Sequence, residues 1–174
     1  MAITLYDVSV GTYVQIVGAA RAVLEKGHAY LRENNIDPAS IVDTRLAPDM
    51  LPFRFQVQSI ANHSLGSIAA LKTGKVGLPA GPAPEHDYSG LQALLDKTEA
   101  GLKALTPAEV NACEGGEVLF ETRDFKMRFT AANYVLSFCL PNLLFHATTA
   151  YDILRLKGVP VGKRDFMGAL RLTG

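Results

Sequence analysis

The feature that most constrains this fold is the stretch from Thr130 to Gly158, which has the pattern of one long amphipathic helix. At about 1.5 Å per residue, such a helix reaches roughly 40 Å. Thr130 is a suitable N-cap, and Gly158, followed by Pro160, is a usual stop signal. We therefore expect the rest of the chain to pack around this helix.

One histidine, His146, falls on the apolar face of this predicted helix. On a wheel of about 3.6 residues per turn, five residues lie within about 40° of it. They are Val135, Cys139, Asn142, Ala150 and Ile153. The opposite side collects Ser137, Thr148, Asp152 and Arg155. We therefore predict that His146 lies in the middle of the buried face, and it is the strongest chemical signal in the sequence.

Three further long segments show helical periodicity. They run from about Thr4 to Asn34, from Phe53 to Thr73, and from Ser89, as N-cap, to Leu105. In each, apolar residues recur three and four positions apart. In the first, Ala20 and Gly27 make the apolar seam thin, so that a neighbouring helix can approach closely.

The connections are also informative. Asp37 followed by Pro38 predicts a short helix, and the sequence from Thr106 to Glu109 has the form of a capping box. Residues 117–130 change to a period of two, which predicts a small β-hairpin turning at Arg123 and Asp124. Residues 73–89 are rich in glycine and proline, and about fifteen extended residues can cover roughly 45 Å. This connection is long enough to run the length of a helical bundle.

Composition and charge narrow the class of protein. The chain has 174 residues, 48% of them hydrophobic, which suits a single all-α domain over residues 1–174. Seventeen basic residues balance seventeen acidic ones, so we expect no nucleic-acid partner. No apolar run reaches about 18 residues, and no signal peptide is recognised, so we expect no membrane partner. Two cysteines, interpreted as free thiols, complete the expectation of a cytoplasmic protein.

Other side chains are weaker candidates for a site. His63 lies about 60° from Ile60, just beyond one edge of the apolar stripe of the second helix, and His86 is expected in a solvated loop. Arg45 either ties down a proline-rich loop or reaches over a bundle end to hold an anion. Pro141 is expected to kink the fourth helix and to free the carbonyl group of Ser137.

Three strings resemble a known family. RLAPDMLPF (45–53), LPNLLFHATTAYDILR (140–155) and GKRDF (162–166) are similar to an uncharacterised domain-of-unknown-function family. That family is grouped with the DinB/YfiT-like proteins, a superfamily of proposed metalloenzymes, and the similarity covers nearly the whole chain. The resemblance implies a four-helix bundle with a long crossing connection between its second and third helices, a small hairpin before the fourth, and frequent assembly as a homodimer.

The resemblance also implies a place for a metal. Metal-binding members carry one histidine on the second helix and an H-x-x-x-H pair on the fourth. Here His63 and His146 match two of these positions, but Ala150 stands in the third, and Asn142 stands there if the pair is read backwards. A zinc or nickel ion would lack one protein ligand. We therefore expect a degenerate metal site and no metal cofactor.

Three functional hypotheses remain open at this stage. The first is a non-catalytic protein that binds a small molecule or serves as a dimeric scaffold, with His146, Asn142, Tyr151 and Arg45 as candidate ligand-binding residues. The second is a divalent-metal-dependent hydrolase or thiol transferase that uses His63 and His146. The third is a metal-free enzyme in which His146 is a general base beside Tyr134 or Tyr151.

Overall fold

The computed structural model describes residues 2–77, 84–122 and 124–172, and this part of the chain is mostly helical with one small sheet. The helices are α1 (Leu5–Val8), α2 (Val10–Glu33), α3 (Ala39–Val42), α4 (53–73), α5 (Tyr88–Lys103), α6 (Pro107–Asn111), α7 (131–156) and α8 (Lys163–Met167). The strands β1 (Glu117–Glu121) and β2 (Lys126–Thr130) pair in antiparallel orientation immediately before α7.

One hydrophobic core is shared by the four long helices, α2, α4, α5 and α7. In the core, α2 packs mainly on α5 and α4 mainly on α7. Fully buried members come from each of the four: Tyr13, Leu24, Phe53, Ile60, Leu91, Leu95, Leu143 and Ile153. Within the described ranges no helix has the length and apolar content needed to cross a membrane.

The first predicted helix is interrupted near its start. Thr4 and Asp7 form a capping box that begins α1, and Ser9 then leaves the helical region with φ −94° and ψ −87° before α2 begins. The Ser9 hydroxyl donates to the Leu5 carbonyl at 2.6 Å. A serine side chain that bonds back to the main chain competes with helix hydrogen bonding, so the expectation of one helix from Thr4 was wrong at this point.

Most of the other helix ends follow local side-chain chemistry. The predicted N-caps at Thr130 and Thr106 are confirmed, and Gly74 ends α4 with a positive φ of 70°. The N-cap of α5 is Asp87 instead of the predicted Ser89. The carboxylate of Asp87 accepts from the backbone N–H of Gly90 at 2.7 Å, and aspartate is at least as good an N-cap as serine.

The predicted hairpin is confirmed, and it is attached to the end of α4. Glu117 lies opposite Thr130, and Glu121 lies opposite Lys126. The N–H of Leu119 donates to the Gly74 carbonyl, and the Leu119 carbonyl accepts from Val76, each at 2.9 Å. Two predictions extend outside the described residues, namely the turn at Arg123 and the middle of the 73–89 connection.

Helices α4 and α7 each contain a π-helical segment that the sequence pattern did not indicate. The segments are Asn62–Gly66 and Tyr134–Cys139, and each continues directly into α-helix on both sides. A π-helical turn holds an extra residue, so side chains beyond it rotate relative to a regular wheel. The segment in α7 ends two residues before Pro141, whose missing N–H is most easily accommodated where the regular hydrogen bonding is already broken.

Candidate functional site

A cavity of about 680 Å³ lies between α4 and α7, with the hairpin and α5 at its edges. Its aromatic lining comes from Phe55, Phe120, Tyr134 and Phe138. Its polar lining, besides Ser59, is three imidazoles and three amides: His63, His86, His146, Gln58, Asn62 and Asn142. The two π-helical segments supply five of the lining residues, including His63 and Tyr134, which places both irregular turns at the cavity wall.

His146 is half-buried at the edge of the core, so the prediction that it lies in the middle of the buried face was wrong. Its neighbours on the predicted wheel, such as Val135 and Cys139, are fully buried, whereas His146 and Asn142 line the cavity. The π-helical segment does not account for this, because Ala150 and Ile153 follow it together with His146 and are buried. The physical reason is the cavity, which leaves the His146 side chain facing open space between α4 and α7.

The tautomer of His146 is set by a relay from α4. The Gln56 amide nitrogen donates to the Leu51 carbonyl at 2.7 Å, which directs the Gln56 amide oxygen towards His146. That oxygen lies 2.7 Å from Nδ1 of His146, and because an amide oxygen only accepts, Nδ1 carries the proton. Nε2 of the neutral ring is therefore a free acceptor, with no hydrogen-bond partner in the part of the chain that is described.

The imidazoles of His63 and His146 lie side by side. Their ring centroids are 5.5 Å apart and their planes differ by 10°, which is an offset parallel arrangement. Burial lowers the pKa of His146 to about 4, and the neighbouring His63 contributes in the same direction. Burial also lowers the pKa of His63. Both rings are therefore neutral at pH 7, and His146 is a weak base there.

The amide side chains at the cavity are held by main-chain carbonyls. The Asn142 amide nitrogen donates to the Phe138 carbonyl at 2.7 Å, and the Gln58 amide nitrogen donates to the Pro84 carbonyl at 2.6 Å. Asn142 does not bond to His146, although it lies one turn before it in α7. These hydrogen bonds fix the orientation of both amides, and the amide oxygen of each is available as an acceptor.

A buried group of polar side chains lies next to the cavity. The hydroxyl oxygens of Tyr13 and Ser67 are 3.3 Å apart, and Cys139 lies beside them in the core. Burial raises the pKa of the Cys139 thiol to about 11, although nearby hydroxyls oppose that rise. Cys139 is therefore a protonated core thiol at pH 7 instead of a reactive thiolate.

The remaining predicted site residues lie elsewhere or differ from expectation. Arg45 is exposed, and its guanidinium donates to the Met50 carbonyl. The Tyr151 hydroxyl donates to the Val161 carbonyl at 3.4 Å, and its ring packs edge-on against Phe166. Neither Arg45 nor Tyr151 lines the cavity. The expectation of a solvated His86 was wrong, since this side chain is half-buried against the cavity.

The side chains around the cavity do not fit a three-ligand metal site. Among the residues that the structure describes, no group of three His, Cys, Asp or Glu side chains could hold a metal ion. His63 and His146 form a pair that the third cavity histidine does not complete, and the described lining residues include neither a carboxylate nor a thiol. Zinc and nickel sites need at least three such donors from the protein.

Comparison with known proteins identifies the class of fold. The chain is similar to the crystal structure of a DinB family member protein from Shewanella denitrificans, with a TM-score of 0.79 and 26% sequence identity. The match covers 98% of this chain and 95% of that one, so the protein has a DinB-like fold. The model of the domain-of-unknown-function family DUF1993 matches residues 5–167, and the chain belongs to that family. The family resemblance of the three sequence strings is thereby confirmed. No curated protein matches the chain.

Proposed function

We propose that this protein is a non-catalytic small-molecule-binding protein whose ligand occupies the cavity between α4 and α7. The observation that supports this most directly is the cavity itself, which at about 680 Å³ is in the size range of ligand sites, and has aromatic walls and a few oriented polar groups. The lining residues that the structure describes include no carboxylate or thiol, and the low pKa of His146 makes it a poor general base at neutral pH.

We also make a proposal about how the four long helices are arranged. We infer that α2, α4, α5 and α7 form a single four-helix-bundle domain and that the 73–89 connection crosses along it. The pairing of α2 with α5 and of α4 with α7, around one core, supports this arrangement. In such a bundle the cavity lies where α4 and α7 separate, and the hairpin covers part of its edge.

Cavity binding is tested with Nile red, an uncharged dye whose emission rises and shifts in apolar surroundings. We expect one dye per chain, and we expect Asn62→Trp to weaken binding about tenfold or more, because the indole of an exposed lining residue would fill the cavity. Asn133→Trp is the matched control, since Asn133 is exposed on α7 and does not line the cavity. No saturable binding to the wild type, or equal loss in both variants, contradicts the proposal.

The metal-dependent alternative makes a different prediction. Because only two imidazoles converge, we expect protein purified without an affinity tag to contain well under one zinc or nickel ion per chain by elemental analysis. His146→Ala should leave that content unchanged. Near-stoichiometric metal in the wild type that is lost in His146→Ala would favour the metal-dependent enzyme and contradict the proposal of a non-catalytic protein.

The homodimer implied by the family resemblance stays a prediction. On the outer side of α7, Leu144 and Phe145 are 41% and 55% exposed, an arrangement compatible with burial against a second copy. Light scattering coupled to size-exclusion chromatography should give twice the chain mass. Phe145→Glu should shift the mass towards that of one chain, and a monomeric wild type contradicts the prediction.

A further inference from the structure

We infer that the ligand of this cavity is an uncharged, flat aromatic molecule that donates a hydrogen bond from an O–H or N–H group to His146. This inference rests on the proposed binding function and adds the chemical class of the ligand. Three features of the cavity support it: the lack of charge among the described lining residues, the arrangement of the aromatic walls, and the fixed acceptor on His146.

The cavity offers no counter-charge to an ionised ligand. None of the described lining residues is Asp, Glu, Lys or Arg, and the segment 78–83, which connects the lining residues Gly77 and Pro84, reads Leu-Pro-Ala-Gly-Pro-Ala. The lowered pKa values of His63 and His146 keep these two imidazoles uncharged at neutral pH. A carboxylate, phosphate or ammonium group moved from water into such surroundings loses hydration without gaining an ion pair, which strongly disfavours binding.

The aromatic walls favour a flat ring. Phe55 packs edge-on against His146, with ring centroids 5.8 Å apart, and Phe138 packs edge-on against His63 at 5.7 Å. Phe120 from the hairpin continues the same wall, 5.6 Å from Phe138. Side chains of this kind present both faces and edges of rings, which pack best on another aromatic group.

The polar side chains of the cavity favour a ligand that donates a hydrogen bond. The relay from Leu51 through Gln56 keeps the proton of His146 on Nδ1, so Nε2 can only accept. The amide oxygens of Asn142 and Gln58 are further acceptors, and each amide nitrogen is held by a main-chain carbonyl. A ligand with only acceptor atoms would leave Nε2 of His146 without a hydrogen bond, so a phenol, an indole or a lactam N–H fits better.

The first test is displacement of Nile red by three matched probes: naphthol, its methyl ether, and naphthoate. We expect naphthol to bind about five- to tenfold more tightly than the ether, although the extra methyl group favours the ether in apolar surroundings. Naphthoate should bind weakest, by more than about tenfold. Equal affinities within about twofold, or tightest binding of naphthoate, would overturn the inference. The proposed binding function would survive that result, because it fails only if Nile red does not bind or if Asn62→Trp and Asn133→Trp lose binding equally.

The second test reverses the selectivity with one substitution. Gln56→Glu places a carboxylate beside Nδ1 of His146, which raises the pKa of the ring and converts Nε2 into a donor. This variant should lose affinity for naphthol and gain affinity for naphthoate, each by about fivefold or more. His146→Phe should abolish the preference for naphthol over its ether, whereas His28→Phe, which alters a ring stacked on Tyr88 outside the cavity, should preserve it. An unchanged order of the three probes in both cavity variants contradicts a role for His146.

Discussion

Gly27→Ala is expected to lower the free energy of unfolding by about 2 kcal/mol, even though alanine is about 1 kcal/mol better than glycine in a helix. A Cβ at this position of α2 would overlap the Tyr88 hydroxyl and would lie 3.3 Å from Cδ2 of Leu154. Tyr88 is 2% exposed, and its hydroxyl donates to the Leu24 carbonyl at 2.8 Å, so the ring cannot move aside without losing a buried hydrogen bond. Denaturant unfolding measures the change.

The matched control is Gly66→Ala in α4. A Cβ there would meet no atom nearer than the Ala61 carbonyl oxygen at 3.7 Å, so the substitution should be neutral or slightly stabilising. Tyr88→Phe removes the atom that overlaps with the new Cβ, so the double variant Gly27→Ala, Tyr88→Phe should recover about 1 kcal/mol relative to additivity. If the effects of the two substitutions on the free energy of unfolding are additive, the strain does not come from the Tyr88 hydroxyl. If Gly27→Ala is more stable than the wild type, the neighbouring side chains do not approach α2 closely at this position.

This seam shows what the sequence can predict. The helical spacing of apolar residues, with glycine among them, indicated a close approach to α2, and local capping chemistry placed Thr106, Thr130 and Gly74 at helix ends. These features depend on residues a few positions apart, so they can be read from the chain directly. The alternation that predicted the hairpin is of the same local kind.

The candidate site depends on features that are not local. Gln56 and His146 are 90 residues apart, and nothing in the periodicity of either helix pairs them. A regular wheel cannot represent the extra residue in each of the two π-helical turns. His63 was correctly placed at the shoulder of its apolar stripe. The His63 ring stacks on His146 because α4 and α7 each place one of these histidines in the wall of the same cavity.

Acidification is expected to destabilise the protein between about pH 6.5 and pH 4 through His146. The pKa of the folded-state ring is lowered to about 4, mainly by burial, whereas the unfolded chain has the ordinary value near 6.5. Between these values the unfolded state binds more protons, so this contribution is complete above about pH 6.5 and is lost as the pH falls. Each pKa unit corresponds to about 1.4 kcal/mol, and allowing for partial solvation of a half-buried ring we expect a loss of about 2 kcal/mol.

The measurement is denaturant unfolding of the wild type, His146→Phe and His28→Phe at a series of pH values. The phenylalanine at position 146 should reduce the slope between pH 6.5 and pH 4, because it keeps an aromatic ring against Phe55 without a group that titrates. Carboxylates such as Glu109, whose pKa the hydrogen bonds from Thr106 lower to about 2, contribute to the slope near pH 4 in all three proteins. The remaining slope should include the contribution of His63, whose pKa burial also lowers. His28→Phe should retain the slope of the wild type. A slope that is the same in all three proteins would show that the His146 ring is solvated in the folded state, and the neutral acceptor on which ligand selection depends would then be absent below pH 6.5.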